Sequence, residues 1–468
     1  MSPRIDDVFA RQRARRDAMA ATGADERIEL IRRIERWTEA HADEIRQAGA
    51  EDFSKPSTEV DLTEIYPVLA EARHTARHLR RWMRGRRVPK TLAMASTGGR
   101  LRYEPRGVAL IISPWNYPFN LTVGPLISAL AAGNCVCLKP SEATPHMSAL
   151  LARMVDELFD DDAVALFEGE ADVAQALLAK PFDHVFFTGS PRVGKLVMKA
   201  AAEHLSSVTL ELGGKSPVIV DRTAHLEDAA EKIVWGKFMN QGQTCIAPDY
   251  LLVHRDRKEA LVEALTRQIQ RAYGETPEAR RSSPDLARLV DDRHFQRVRR
   301  LLEGSLGMGA RVASGGGLDE GSRYIEPTLL VDVPLDSPAM QEEIFGPLLP
   351  ILPYDDLGEA LGVVRGKEKP LALYVFSADR RFVRRVLDGT SAGGTCVNDV
   401  ALHFLHPNLP FGGVNHSGHG SAHGVYGFRA FSHERGVLTH HRWSALKLMA
   451  PPYRGLAKRL VRLTLKYL

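Results

Sequence analysis

Cysteine is scarce in this 468-residue chain, which has only Cys135, Cys137, Cys245 and Cys396. None of them has the C-x-x-C spacing of a zinc or redox site, and no apolar signal-peptide run follows the Arg-rich N-terminus. These absences favour a reducing, cytoplasmic compartment. Cys135 and Cys137 stand two apart in a predicted strand, so we expect both thiols to share one face and to pack as small apolar groups.

A strong excess of charge of one sign is also absent, since 62 basic and 58 acidic side chains leave a net charge of +4. Such a small, dispersed charge does not indicate a nucleic-acid partner. Seven arginines from Arg73 to Arg87 would line a helix, but only Trp82 could stack on a base there, and no recognised nucleic-acid-binding module surrounds them. We interpret this stripe as a solvated face, and an anionic ligand ranks above nucleic acid.

A chain of this length, 44% hydrophobic and 26% charged, is expected to form two or three globular domains. Helical, Arg/Glu-rich segments cover about 5–87. Short β-branched runs then alternate with amphipathic stretches, which predicts a parallel sheet with helices on both faces, typical of nucleotide binding. The predicted strands are 108–112, 135–138, 163–167, 184–187 and 208–210, and the predicted helices are 121–131, 145–159, 171–179 and 191–203.

A second series of strands predicts a second α/β domain. Its predicted members are 217–220, 251–254, 371–376 and 395–397, with helices between them. Ahead of the first series, the segment from Ala95 to Gly99 is typical of a turn that joins two strands of a protruding hairpin. Such a hairpin often forms a subunit interface.

One cysteine lies in a polar, glycine-containing loop, residues 240–249, which surrounds it with little bulk. Cys245 is therefore the candidate nucleophile. A thiolate can attack a carbonyl at neutral pH without a metal, provided that its pKa is lowered and that a second group handles protons and water.

Two polar residues at strand ends could complete such a site. Asn116 has an amide that could donate to an oxyanion, although an ordinary turn asparagine would show the same pattern. Glu211 closes an apolar strand just before two glycines, so burial could raise its pKa and make it a general base. The alternative for Glu211, taken alone, is a salt-bridged structural role.

The run from Phe186 to Leu196 follows a predicted strand and opens a helix. Its glycines Gly189 and Gly194, with Ser190 at the helix cap, could cradle a phosphate on backbone amides. The run nearly matches the P-loop pattern, but Leu196 stands where a hydroxyl must reach magnesium, so an NTPase site ranks well below a dinucleotide site. Without other motifs, a structural turn would be the better interpretation.

Six motifs occur along the chain in the order found in NAD(P)-dependent aldehyde dehydrogenases, and this resemblance covers nearly the whole chain. They are Ser113-Pro-Trp-Asn-Tyr-Pro118, Leu138-Lys-Pro-Ser-Glu142, Phe187-Thr-Gly-Ser190, Glu211-Leu-Gly-Gly-Lys215, Gly242-Gln-Thr-Cys245 and Glu342-Glu-Ile-Phe-Gly-Pro347. The short N-terminus and the segments Asn398-Asp-Val, His403, Leu409-Pro-Phe-Gly-Gly413 and Phe431-Ser-His433 resemble the class 3 branch. That branch includes fatty-aldehyde and coniferyl-aldehyde enzymes and is typically dimeric.

The resemblance implies an α/β fold with a Rossmann-like parallel-sheet cofactor domain, a second α/β catalytic domain and a β-hairpin oligomerisation element. The expected bounds are 1–87 and 107–212 for the cofactor domain, 213–397 for the catalytic domain, 88–106 and 398–440 for oligomerisation and bridging segments, and 441–468 for a basic amphipathic tail. A homodimer is the expected assembly, with a small-molecule aldehyde as substrate and no nucleic-acid partner.

The resemblance also implies the catalytic roles. Cys245 would be the nucleophile, and Asn116 with the Cys245 backbone amide would form the oxyanion hole. After hydride leaves for the nicotinamide, Glu211 would activate the water that hydrolyses the thioester. No metal is needed.

The residues implied at the cofactor are Lys139 and Glu142 at the adenosine ribose, Gly189, Ser190 and Gly194 at the pyrophosphate, and Glu343 and Phe345 at the nicotinamide ribose. NAD is the expected cofactor, because Glu142 could bind a ribose hydroxyl and repel a phosphate there. NADP could be tolerated, because Lys139 could attract that phosphate.

Two positions depart from the family pattern. Asn415 replaces the glycine usual in Phe-Gly-Gly-Val-Gly, and Ala422 replaces a frequent tyrosine before His423. Asparagine tolerates positive φ better than most residues, so we expect the loop to form. His416, His419 and His423 could suggest zinc, but the glycines between them disfavour a regular helix, so we interpret these histidines as loop packing.

Beyond Glu434 the chain has no acidic residue. An apolar helical face and a basic one are predicted there, formed by Leu456, Leu460, Leu463 and Tyr467 on one side and by Arg454, Lys458, Arg459, Arg462 and Lys466 on the other. This tail is too short and too charged to span a bilayer, but it could lie on an anionic membrane surface. We favour docking on its own subunit or on a dimer partner, because a single short helix anchors weakly.

The sequence therefore predicts an enzyme that oxidises a medium- or long-chain aliphatic or aromatic aldehyde to its acid. One alternative passes the thioester to CoA or phosphate, and Glu211 argues against it because an acyl-transfer enzyme has less need of a hydrolytic base. The other alternative is a catalytically silent binding or structural protein on this fold, which the intact Cys245, Glu211 and Asn116 disfavour.

Overall fold

The computed structural model describes residues 2–91, 94, 97–440, 447 and 451–467. Its helices are α1 (Ser2–Ala21), α2 (Ala24–Ala40), α3 (Ala42–Phe53), α4 (Ser57–Val60), α5 (Tyr66–Met83), α6 (Asn120–Ala132), α7 (Pro145–Leu158), α8 (Ala171–Leu178), α9 (Pro191–Ala202), α10 (Leu226–Phe238), α11 (Lys258–Tyr273), α12 (Pro277–Arg281), α13 (Asp292–Gly307), α14 (Pro338–Gln341), α15 (Leu357–Arg365), α16 (Arg380–Gly389), α17 (Gly424–Ala430) and α18 (Gly455–Tyr467). A π-helical turn, Asp61–Ile65, joins α4 to α5.

The strands group into two large sheets and smaller ones. They are β1 (Arg86–Arg87), β2 (Thr97–Pro105), β3 (Val108–Ile112), β4 (Cys135–Lys139), β5 (Val164–Leu166), β6 (His184–Gly189), β7 (Ser207–Leu212), β8 (Pro217–Val220), β9 (Tyr250–His254), β10 (Arg311–Ser314), β11 (Leu318–Asp319), β12 (Tyr324–Ile325), β13 (Thr328–Val331), β14 (Leu348–Tyr354), β15 (Ala372–Phe376), β16 (Gly394–Val397), β17 (Gly418–His419) and β18 (Ser432–His440). Each strand and helix predicted in the two series is confirmed to within two residues.

The first sheet has the order β17-β7-β6-β3-β4-β5 among the described residues, and β3 to β7 run parallel. Every residue of β3 and β4 is buried, as expected of strands covered on both faces. The thiols of Cys135 and Cys137 lie in this core, which confirms their packing role. Apart from β17, the order corresponds to five of the six strands in the Rossmann order 3-2-1-4-5-6, with its switch point between β3 and β6.

The second sheet has the order β10-β13-β14-β9-β8-β15-β16 within the described part of the chain, with β10 antiparallel to the rest. Successive residues of β8 face opposite sides, so Val218 and Val220 enter one apolar cluster and Ile219 the other. The sequence analysis missed β14, an interior strand. Its two prolines, Pro350 and Pro353, are typical of edge strands rather than central ones.

The predicted antiparallel hairpin forms, but the position predicted for its turn is wrong. β1 pairs antiparallel with β2, and β18 pairs along the other side of β2 from Ser432 to His440. Thr97, Gly98 and Gly99 belong to β2 rather than to a turn, while 95 and 96 lie outside the described residues. The third strand comes from more than 300 residues away, so no local pattern indicated it.

The prediction that all seven arginines line one helix is wrong. α5 ends at Met83, and Arg86 and Arg87 form β1. Gly85 breaks the helix with a φ of 69°, and it packs against the carbonyl of Leu101, where a side chain would collide.

The C-terminal tail forms the predicted helix, α18. Ala457 is buried, whereas Leu456 is 63% exposed and Leu463 is also exposed. Docking of the leucine face on its own subunit is therefore not observed among the described residues. No helix in the described ranges is both long enough and apolar enough to cross a membrane.

Candidate active site

The carboxyl ends of the first sheet meet at one edge and carry four of the predicted site residues. Asn116 follows β3, Lys139 ends β4, Gly189 ends β6 and Glu211 lies near the end of β7. Because the strands are parallel and adjacent, these residues share a crevice that includes the switch point between β3 and β6. Ligands of open α/β sheets bind in such crevices.

The loop that carries Cys245 is held against Asn116. Asn240, Gln241 and Gly242 have φ values of 50°, 56° and 75°, a left-handed turn that leads out of α10. The side-chain amide of Asn116, itself 3% exposed, donates to the carbonyl oxygen of Gln243 over 3.0 Å. An amide nitrogen has two N–H donors, so one remains for a ligand beside Cys245.

The thiol of Cys245 does not meet the condition of a lowered pKa that the sequence analysis set for a nucleophile. Burial, together with the repulsion of a thiolate by the carboxylates of Glu343 and Glu211, raises its pKa to about 12. Both carboxylates come from segments distant in sequence, so no local pattern indicated them. At neutral pH the thiol in the free protein is therefore protonated.

Glu211 has the environment expected of a buried base. The residue is 6% exposed, and neither oxygen of its carboxyl group has a hydrogen-bond partner in the described part of the chain. Burial alone raises the pKa of Glu211 well above its ordinary value, which confirms that prediction. The salt-bridged alternative is not observed there. A carboxylate with a raised pKa is a stronger base once ionised.

Lys139 and Glu142 form an ion pair at the end of β4, with 2.8 Å between Nζ and Oε2. The Lys139 side chain is buried, whereas that of Glu142 is half exposed. Burial opposes ionisation of Glu142, but the hydrogen bond from Lys139, a backbone hydrogen bond and the positive charge of Lys139 together outweigh it and hold the pKa of Glu142 below its ordinary value. An ionised acceptor and a buried cation thus stand together at the sheet edge.

The turn between β6 and α9 leads into a helix that begins at Pro191. Ser190 caps α9, and its hydroxyl accepts from the N–H of Val193 over 3.4 Å. Gly194 lies in the first turn of the helix, where a Cβ would stand 2.7 Å from the Leu212 side chain. This glycine lets α9 approach β7 closely. The N-terminus of such a helix favours a phosphate.

Glu343 and Phe345 reach the same crevice from the segment between α14 and β14. Glu343 accepts from the N–H of Gly214 over 3.0 Å, and a side chain at Gly213 would collide with its carboxylate. The Phe345 ring packs edge-on against Trp115, with 5.3 Å between centroids. Burial raises the pKa of Glu343 to about 7. This carboxylate therefore lies beside the end of the strand that carries Glu211.

The sequence analysis missed the ion pair that anchors this segment. Lys215 pairs with Asp249 and donates to the carbonyl oxygens of Ala339 and Glu342 over 2.8 and 2.7 Å. Asp249 accepts from the N–H of Ile344 over 2.9 Å. Both residues were visible at the margins of quoted motifs, but they lie 34 residues apart, and the backbone groups that they bind are at least 95 residues away in sequence.

The two departures from the family pattern fit the structure. Asn415 has a φ of 55°, as expected of a residue in the place of glycine, and its Oδ1 accepts from Lys369 over 2.8 Å. Ala422 packs against the first core. His416 lies 3.7 Å from Glu368 and His423 lies 3.8 Å from Glu71, so these histidines face separate carboxylates.

The residues at the sheet edge fit a dinucleotide. The helix N-terminus capped by Ser190 suits a pyrophosphate, and the Lys139–Glu142 pair offers a donor and an acceptor for a ribose. A second carboxylate, that of Glu343, stands across the crevice near Cys245.

Comparisons with known proteins agree with this geometry. The model of the aldehyde dehydrogenase family matches residues 2–437. The 4,4'-diaponeurosporen-aldehyde dehydrogenase of Staphylococcus aureus is 43% identical over 429 residues, 92% of each chain. The dimeric NADP-preferring aldehyde dehydrogenase of Rattus norvegicus is 43% identical over 434 residues, 93% of this chain and 94% of the relative.

The solved structures point the same way. The substrate-bound AldH of Staphylococcus aureus superposes with a TM-score of 0.93 at 40% identity, covering 98% of this chain and 99% of that one. The match in sequence and in fold extends over nearly the whole of each protein. This chain belongs to the aldehyde dehydrogenase family and is an NAD(P)-dependent enzyme that oxidises an aldehyde to a carboxylic acid.

Proposed function

We propose that Cys245, Asn116 and Glu211 carry out this oxidation through a covalent adduct. The observation that supports the proposal is their convergence: Asn116 donates to the loop that carries Cys245, and Glu211 lies close enough to affect the pKa of its thiol. The alternative of a catalytically silent protein is disfavoured because all three groups are present and directed to one crevice.

In the first step the thiol of Cys245 loses its proton to solvent, and the resulting thiolate adds to the carbonyl carbon of the aldehyde. The new oxyanion accepts hydrogen bonds from the free N–H of Asn116 and from the backbone amide of Cys245. NAD(P), when bound, supplies the acceptor for the hydride. Loss of hydride converts the thiohemiacetal on Cys245 into a thioester.

In the second step Glu211 takes a proton from water, which attacks the thioester and releases the acid and the thiol of Cys245. The balance is aldehyde, NAD(P)+ and water to acid, NAD(P)H and a proton. Because the pKa of Glu211 is raised, its basic form increases as the pH rises. A dedicated base disfavours transfer of the acyl group to CoA or phosphate.

The cofactor contacts are also a proposal. Lys139 and Glu142 would bind the adenosine ribose, Gly189, Ser190 and Gly194 would bind the pyrophosphate, and Glu343 with Phe345 would bind the nicotinamide ribose. We propose NAD as the better cofactor, since ionised Glu142 repels a 2′-phosphate and already neutralises Lys139. The domain bounds expected from the sequence, including 107–212 for the cofactor domain and 213–397 for the catalytic domain, are kept in this proposal.

A medium- or long-chain aliphatic or aromatic aldehyde is the proposed substrate. Cys245 packs against an apolar cluster that contains Phe238, Val400 and Phe411. Trp235, three residues before Phe238 in α10, and Leu402, two residues after Val400, are 40% and 45% exposed. Large apolar side chains left in contact with water beside a site often bind apolar ligands. The relative from Staphylococcus aureus is named for 4,4'-diaponeurosporen-aldehyde.

Initial-rate measurements of cofactor reduction test this function. Wild type and Cys245→Ala would be compared with NAD or NADP on hexanal, decanal, benzaldehyde and cinnamaldehyde, without CoA or phosphate. We expect turnover by the wild type only, with kcat/KM rising from hexanal to decanal. Turnover that needs CoA or phosphate, or that survives in Cys245→Ala, would contradict the proposal.

We propose that the protein is a cytoplasmic homodimer whose tail is available for peripheral contact with a membrane. The three-stranded sheet of β1, β2 and β18 would form the subunit contact. Exposed Leu456 and Leu463, with Leu465 at 80% exposure, lie among basic residues and no acidic ones after Glu434. Such a helix binds an anionic surface through its apolar area and its charge.

Vesicle sedimentation tests whether the tail binds a membrane. Light scattering measures the mass of the assembly in solution. We expect twice the chain mass in solution, and partial sedimentation with vesicles rich in phosphatidylglycerol that Leu463→Glu abolishes. Leu205→Glu, at a leucine on the body of the protein that is 94% exposed, is the control for the added negative charge. Equal sedimentation of wild type and Leu463→Glu would refute membrane contact, and a single chain mass would refute the dimer.

A further inference from the structure

A buried lysine and two glutamates from the N-terminal helices lie beneath the active-site loops. Lys55 and Glu64 are 2% and 1% exposed, and the Lys55 ammonium donates to Glu64 Oε1 over 3.2 Å. The same ammonium lies over the rings of Phe53 and Tyr117, at 4.7 and 4.5 Å. Burying a charge has a large unfavourable free energy unless the charge is paired, so packing alone does not explain this arrangement.

The lysine holds the backbone of the oxyanion residue. The carbonyl oxygen of Asn116 accepts from Lys55 Nζ over 3.2 Å and from Asn240 Nδ2 over 2.8 Å. These two bonds occupy both lone pairs of the carbonyl. The backbone from which the Asn116 amide projects is therefore fixed by one residue of the N-terminal segment and by one residue of the nucleophile loop.

The second glutamate holds the nucleophile loop. Glu59 Oε1 accepts from the backbone N–H of Asn240 over 2.8 Å. Asn240 has a φ of 50°, in the left-handed region that is strained for a residue with a side chain, and its side chain also donates to Gln243 over 3.3 Å. The turn that leads to Cys245 thus has an unfavourable backbone conformation at Asn240, and several hydrogen bonds hold it there.

Both carboxylates lie on one short segment. Glu59 belongs to α4 and Glu64 to the π-helical turn that follows it, a feature that recurs at functional sites. Glu64 Oε2 also accepts from the N–H of Asn120 at the start of α6, 2.9 Å away. This segment, which lies outside both large sheets, therefore contacts the chain near Asn116 and the loop that carries Cys245. The distance between those two regions sets the reaction geometry.

We propose that Lys55, Glu59 and Glu64 form a positioning network that fixes the Asn116 amide relative to Cys245, with Glu59 acting on the nucleophile loop. The inference rests on the roles proposed above for Asn116 and Cys245. These are positioning residues, because they act through Asn116 and Asn240. A misplacement of about 1 Å in such a site costs on the order of 10²-fold in rate.

Two substitutions of Glu59 separate positioning from stability. Glu59→Ala removes the acceptor of the Asn240 N–H, and we expect kcat to fall at least about tenfold while KM for the cofactor changes less than about twofold. Glu59→Gln keeps an oxygen at that point, so its kcat should stay within about threefold of wild type. Asp61→Asn is the matched control, an exposed carboxylate on the same segment that pairs with Arg46 at 2.7 Å.

A double-mutant cycle with Asn116→Ala completes the test. If Glu59 acts by placing the Asn116 amide, its removal in the Asn116→Ala background should cost less than about threefold, because coupled residues are not additive. Additive effects of the two substitutions, or an unchanged kcat in Glu59→Ala, would overturn the inference. It would also be overturned if Glu59→Ala lowered the melting temperature and the cofactor affinity along with kcat. An unchanged kcat in Asn116→Ala itself would instead refute the proposed site.

Discussion

Glu211→Gln is expected to lower steady-state turnover by about 10³-fold, within the range for removal of a general base. The amide cannot take a proton from water, so the thioester on Cys245 should accumulate. Mixing enzyme, NAD and decanal should give a rapid burst of reduced cofactor, close to one equivalent per active site, followed by slow release. A stopped-flow record of absorbance measures both phases.

The burst separates the two steps of the proposed mechanism. Because both oxygens of Glu211 are buried and have no hydrogen-bond partner among the residues that the structure describes, replacing the carboxyl group with an amide leaves the folded structure little changed. Glu203→Gln, at an exposed position after α9, is the control and should retain wild-type rates. Loss of the burst together with turnover would show that Glu211 acts before hydride transfer, contrary to the proposed role.

The pH dependence of the wild type follows from the same carboxyl group. The raised pKa of Glu211 means that its ionised form increases with pH across the neutral range and above. Ionisation of Cys245 is favoured in the same direction, since burial raises its pKa to about 12. Turnover should therefore rise from acid to alkaline pH.

Asn116→Ala is expected to lower kcat by about 10²- to 10³-fold, the usual cost of removing one oxyanion donor. Here the burst itself should slow, because the donor acts on the adduct that precedes hydride transfer. KM for the cofactor should change little. Single-turnover rates of cofactor reduction measure this effect directly.

The Asn116 variant needs a control for structure, since its amide also bonds to Gln243 at 3.0 Å. Asn408→Ala, on an exposed part of the loop that follows β16, should leave both rates unchanged. Equal burst rates in wild type and Asn116→Ala would exclude Asn116 from the oxyanion hole.

The sequence was sufficient where the signal is local. Continuous apolar runs such as Val108–Ile112 predict buried parallel strands. The residues at the carboxyl ends of those strands are then expected to line the crevice. The raised pKa of Glu211 followed from its apolar neighbours and the two glycines after it. The resemblance added roles that residue patterns alone left open.

The sequence was insufficient where distant segments meet. Pro350 and Pro353 concealed an interior strand, and β18 reaches β2 from the far end of the chain. The pKa of Cys245 is raised by burial and by Glu343 and Glu211, and these groups approach the thiol only in the folded protein. Lys55 and Glu59 belong to no motif, and only their contacts with Asn116 and Asn240 indicate a role.

Mass spectrometry of the trapped adduct tests the central claim most directly. Glu211→Gln enzyme would be mixed with NAD and decanal, quenched in acid and digested. The account predicts a mass increase equal to one decanoyl group, located on the peptide that contains Cys245 and absent when NAD is omitted. An acyl group on another residue, or steady turnover with no acyl-enzyme and with Cys245 unmodified, would contradict it.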